Sequence, residues 1–156
     1  MIEPLLAGLE TTAAAQWLRG ARWGYAAVNG THVLGVAMLV GAILPLDLRL
    51  LGCWRGVDRQ ALVRVLVPVA AAGLALAATA GLCLFAIRAR EYAGLDIFRV
   101  KLALIATGAS AAILLHARAG WLLRDARPAT LRLHAVLSLT CWLGALACGR
   151  LIAFVT

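Results

Sequence analysis

Three histidines, His32, His116 and His134, stand within or at the edge of long apolar stretches. An ionisable ring in apolar surroundings is costly unless it has a partner, so each of the three needs a reason. Imidazole nitrogens ligate haem iron, copper or zinc and also pass protons, and those are the chemistries these positions open. With Asp125 as the midpoint of the last hairpin, His116 and His134 lie equally far before and after it. At about 1.5 Å of rise per residue, both rings sit roughly 13 Å from the turn, at one level. Two rings at one level suit a bis-histidine haem or a two-histidine metal site, and Asp47 on the same side offers a third metal ligand. Because the last two helices adjoin in sequence, this pair favours a small ion over a haem. His32 belongs to the opposite side, at the level of Arg99, Lys101 and Arg150. There it can hold a haem whose propionates pair with those cations, or be a neutral ring hydrogen-bonded to a neighbouring helix.

The elements that must position these residues are membrane spans. The 156-residue chain is 63% hydrophobic and 14% charged, with a mean hydropathy of +0.92, outside the range of soluble domains. Residues 65–87 carry no charge, and neither do residues 25–46. Each is long enough as a helix to cross a hydrocarbon core of roughly 30 Å. With spans also at 99–122, where Arg118 snorkels, and at 131–154, the expected fold is all-α. It is an integral membrane, antiparallel four-helix bundle over residues 23–156. Residues 1–22 form an N-terminal interfacial amphipathic helix, with Pro4 at its first turn and Leu5, Leu9, Ala13 and Trp17 spaced four apart. Glu3 stands where a signal peptide would be basic, so the N-terminus is expected to be retained.

The net charge of +8 comes from arginines in loops and at helix ends, where they face lipid phosphates rather than nucleic acid. Trp17, Trp23, Tyr25 and Tyr92 mark one interface and Trp54 and Trp121 the other, leaving Trp142 deep. The loops around Asp47 and Asp125 hold eight arginines against seven Lys or Arg on the other side. Arg150 is the least of these at home in a loop, which places both termini in the periplasm of a bacterial inner membrane. Arg150 itself calls for an anionic partner or for snorkelling to the interface. Asp47 and Arg49 close the first span, and Asp47 can equally be a structural anchor there. Cys83, Cys141 and Cys148 lie in apolar helix and are expected to be small buried hydrophobes. Gly73, Ala77 and Gly81 form a close-packing stripe, as do Gly108 and Ala112, for contacts within the chain or, alternatively, a homodimer seam.

The string from His32-Val-Leu-Gly35 through Asp47-Leu-Arg-Leu-Leu-Gly52 resembles a family of small four-helix bacterial inner-membrane proteins of unknown function. The resemblance continues at Thr79–Phe85, Phe98-Arg-Val-Lys101, Leu114-Leu-His116 and Gly149–Phe154. His32 and His116 match that pattern and His134 does not, while an asparagine-containing stretch before the third-span histidine reads Thr107-Gly-Ala-Ser110 here. The resemblance implies the fold and little chemistry. A more distant likeness to b-type cytochrome and copper-resistance membrane bundles is analogy.

The first functional expectation is therefore a membrane electron-transfer protein binding haem b, with Trp142 and Phe85 as haem contacts and a quinone or redox protein as partner. Its cofactor set is His32, His116, His134, Arg99, Lys101 and Arg150. The alternatives are copper, zinc or proton handling at His116, His134 and Asp47, and a non-catalytic subunit or scaffold. A copper relay would be rich in methionine, and the chain has only Met1 and Met38. No hydrolytic or phosphate-binding motif is present, so a carrier is expected rather than a classical enzyme.

Overall fold

The computed structural model describes residues 3–155, and every regular element among them is an α-helix. In chain order these are α1 (Glu3–Glu10), α2 (Ala13–Gly20), α3 (Arg22–Leu51), α4 (Arg59–Ile87), α5 (Ala89–Gly94), α6 (Asp96–Ala119) and α7 (Pro128–Val155). Helices α3, α4, α6 and α7 are each long and apolar enough to cross a membrane. Their outer faces carry exposed Val33, Leu34, Val65, Leu82, Ile113 and Leu133. Such faces need an apolar surround.

The ends have local causes. Gly52 closes α3 with φ +115, a left-handed backbone that glycine adopts without strain, and its N–H returns to the last turn. Asp58 caps α4, its carboxylate accepting from the N–H groups of Gln60 and Ala61 at 3.1 Å each. The third span starts and ends three residues earlier than expected. It ends at Ala119 because Gly120 (φ +71) and Leu123 (φ +55) turn the chain, and Trp121 and Leu122 belong to that turn. Leu123 is 1% exposed, so its burial holds a backbone that a leucine rarely adopts. Arg59 also donates to the Leu123 carbonyl at 3.2 Å.

The N-terminal segment is two helices rather than one. Thr11 and Thr12 donate their hydroxyls to the carbonyls of Gly8 and Leu9, and Thr12 then caps α2 by accepting from the Ala15 N–H. Hydroxyls that capture nearby backbone groups compete with a continuous helix. α1 and α2 lie against α4 and α5. Arg19 donates to the Ile87 carbonyl at 2.6 Å, and Glu10 accepts from the Arg90 backbone N–H at 3.0 Å and from its guanidinium. First the Arg90 backbone N–H and then its guanidinium hold the Glu10 carboxyl below its ordinary value of 4.5. A depressed carboxylate stabilises the fold above its unfolded value and loses that effect as pH falls through the folded one. Acidification through and below the ordinary carboxylate range is therefore expected to release α1 and α2, seen as faster hydrogen exchange over residues 3–20. Glu10→Gln should show the same looseness at neutral pH; unchanged exchange in both cases would show that this clasp holds nothing.

The long helices pack in the order α4, α3, α7, α6, with α3 on α4 and α7 and α6 on α7. Among the described residues the Cα atoms of α4 and α6 stay more than 8 Å apart. Side chains bridge that gap: Phe85 stacks on Phe98 with ring centroids 5.3 Å apart, and Tyr92 tilts onto Phe98 at 5.8 Å. The closest approach is between α3 and α4. A Cβ on Gly73 would lie 2.6 Å from the Leu39 nitrogen, and one on Gly35 would lie 2.5 Å from the Ala77 nitrogen. Gly108 similarly faces Cys141 and Trp142 of α7. Both small-residue stripes are thus used inside the chain, where packing rather than water exclusion joins helices in an apolar medium. Cys141 is buried as expected and Cys148 partly so, but Cys83 faces outward. Where α3 and α6 end and α4 and α7 begin, all four helices meet on Leu46, Leu50, Val63, Leu115, Leu123 and Leu131.

Candidate functional site

That last end carries arginines 49, 55, 59, 64, 118, 124, 127 and 132, and it also encloses the most costly polar group of the chain. Asp47, one turn before the end of α3, is 3% exposed and shares a helix face with core residues Leu46 and Leu50. Pro45 precedes it inside the helix and removes one backbone donor, a loss that a packed bundle absorbs. Across on α7, the buried hydroxyl of Ser138 is the polar group within hydrogen-bonding reach of the carboxyl. The carboxyl oxygen Oδ2 is enclosed and without a partner. Among the described residues no cation pairs with it; the ion pairs all lie at the other end, joining Arg88 to Glu91, Arg90 to Glu10 and Arg99 to Asp96.

His134 stands one turn before Ser138, on the same face of α7. Both of its ring nitrogens are enclosed and have no hydrogen-bond partner. His116, near the end of α6, lies within electrostatic reach of His134. Its Nδ1 is 3.1 Å from the Trp121 carbonyl and its ring tilts against the Trp121 ring at 5.5 Å. A carbonyl can only accept, so Nδ1 carries the hydrogen and Nε2 keeps its lone pair. Ser138 and His134 thus share one face of α7, with Asp47 of α3 across from the first and His116 of α6 across from the second. Among the described residues no three His, Cys, Asp or Glu side chains converge as a metal cage.

The other expected residues are placed elsewhere. His32, in α3, packs against α4: its Nδ1 is 2.7 Å from the Ala77 carbonyl, and its ring fills the space a Cβ on Gly81 would enter at 3.1 Å. Fifteen residues along α3 separate His32 from Asp47, about 22 Å of helix. Nor do the three cations form a cluster around it. Arg99 is engaged by Asp96 and the Ala93 carbonyl, Lys101 lies alongside Gly149, and Arg150 is exposed with its guanidinium 5.0 Å above the Phe154 ring. Arg150 thus turns outward over an aromatic ring rather than toward His32. Phe85 and Trp142, expected as haem contacts, pack on Phe98 and Gly108.

Ser138 is the site residue that sequence reasoning passed over. Its signal was present: a hydroxyl one helical turn from an apolar-span histidine shares that histidine's face. No family model, curated protein or solved structure matches the chain.

Proposed function

We propose that the chain is a multi-pass protein of the bacterial inner membrane that takes up and releases a proton at Asp47, reached through Ser138, His134 and His116. The observation that carries this is the enclosed carboxyl with an unpartnered oxygen and no cation beside it. Its anion would have a single hydroxyl in place of the water it lost, so the group is a proton-binding one by position. A neutral imidazole has one donor and one acceptor nitrogen. Once the side chains rotate into contact, the Ser138 hydroxyl can pass the Asp47 proton to one nitrogen of His134, which releases its own from the other toward His116 and the surface, leaving a carboxylate that later recovers a proton by the same route. Deeper in the bundle, Leu39, Ala42, Trp142 and Ala145 fill the interior, which supports a one-sided proton site rather than an open channel.

Eight arginines stand at the Asp47 end against six arginines and Lys101 at the other, where Arg150 lies within a long helix. The positive-inside rule puts the Asp47 end in the cytoplasm and both termini in the periplasm. A haem b electron carrier is the competing proposal, and one feature favours it: His32 and His116 both keep Nε2 open, as an iron ligand must. They stand at different levels, however, and His116 and His134 lie on adjoining helices, so an opposed bis-histidine pair is missing among the described residues.

Purified from a haem-replete host, the protein is expected to be colourless. Its infrared spectrum should show a carboxyl band that titrates with pH and disappears in Asp47→Asn. A Soret band lost in His32→Ala would put haem in place of the proton, and a pH response identical in Asp47→Asn would remove Asp47 from the mechanism. A membrane-impermeant maleimide should label exposed Cys53 only after cells are lysed; labelling of intact cells would reverse the orientation.

A further inference from the structure

A cleft of about 450 Å³ opens between α6 and α7 at the arginine-rich end. Its mouth holds Arg118, Arg127, Thr130 and one acid, Asp125, and its inner wall is Ala111, Leu114 and Leu115, with His134 beside them. Neither arginine is in an ion pair among the described residues. Arg127 also stands just before Pro128, where a helix wants an acceptor, and its side chain offers none. Two unpaired guanidinium groups and the start of a helix therefore face one opening, and Asp125 offsets only part of that charge.

We infer that this cleft binds one acidic phospholipid, its phosphate between Arg118 and Arg127 and an acyl chain along Ala111 and Leu114. The vertical order of the residues selects a lipid over a soluble anion. Arg118 and Thr130 lie at the ends of their helices, the level of the headgroup layer if the bundle spans a bilayer. Leu114, one turn deeper, is 52% exposed and continues the cleft as apolar surface, which a free phosphate would leave uncovered. The inference rests on the membrane part of the proposed function and is independent of proton binding at Asp47.

The test is native mass spectrometry of the full chain in detergent with phosphatidylglycerol or phosphatidylcholine added. Phosphatidylglycerol should be retained in preference, and the double variant Arg118→Ala/Arg127→Ala should lose roughly tenfold or more in affinity, from about 1 kcal/mol per cation. Arg124→Ala/Arg132→Ala makes the same change in net charge outside the cleft and should retain the lipid. Equal losses in the two double variants, or equal retention of the two lipids, would overturn the site. Displacement of the lipid by inorganic phosphate would assign the cleft to a soluble phosphate instead. Asp47→Asn should leave retention unchanged, which separates failure here from failure of the proton proposal.

Discussion

Gly73→Leu should cost about 3 kcal/mol or more, because overpacking here has no room to relax. A Cβ at Gly73 would meet the backbone of α3, the Leu39 nitrogen at 2.6 Å and the Gly35 carbonyl at 2.8 Å. A side chain tip can rotate away, but two helix backbones can only separate. Separation would undo the α3–α4 contact and with it the His32 bond to Ala77. Gly41→Ala makes the comparison clean, since nothing lies within 4 Å of its Cβ position, and it should be neutral or slightly stabilising. Thermal unfolding in detergent reads both. A Gly73→Leu protein as stable as the parent would mean that α3 and α4 do not meet there.

The second large effect is expected at Asp47. Replacing it by Lys puts a longer, charged side chain into a position that is 3% exposed and has no acid beside it. The cost is about 3 kcal/mol, combining overpacking with an unpaired charge. Asp47→Asn keeps the shape and the Ser138 partner and should stay within about 1 kcal/mol of the parent. The two variants separate a charge requirement from a packing requirement. If Asn destabilised the protein as much as Lys, Asp47 would be a structural anchor and not a proton site. A stable Asp47→Asn protein without the titrating carboxyl band would tie the proton to this one group.

Much of the site was legible in the spacing of residues. The equal distances of His116 and His134 from Asp125 placed both near one end, and the structure sets them within electrostatic reach. Asp47 was assigned to the same end from its place at the close of the first span. What spacing could not reveal was rotation about each helix axis. His32 turns onto α4 rather than toward Lys101 and Arg150, because the Gly81 position leaves room for its ring and Ala77 offers a carbonyl. Cys83 turns outward for the same kind of reason: neighbouring Ala80 and Gly81 occupy the face toward α3, and position 83 is rotated away from it.

By itself the sequence determined that there are four long apolar helices and which level each polar residue occupies. Those properties follow from length, rise per residue and transfer free energy, all of them local to a segment. Only the tertiary structure decided which helices touch, that Ser138 is the hydroxyl beside Asp47, that the N-terminal segment breaks at Thr12, and that a cleft opens between α6 and α7. In an apolar surround every outer face tolerates lipid equally well, so hydrophobicity does not say which face turns inward. Contacts as specific as Gly35 against Gly73 choose it instead.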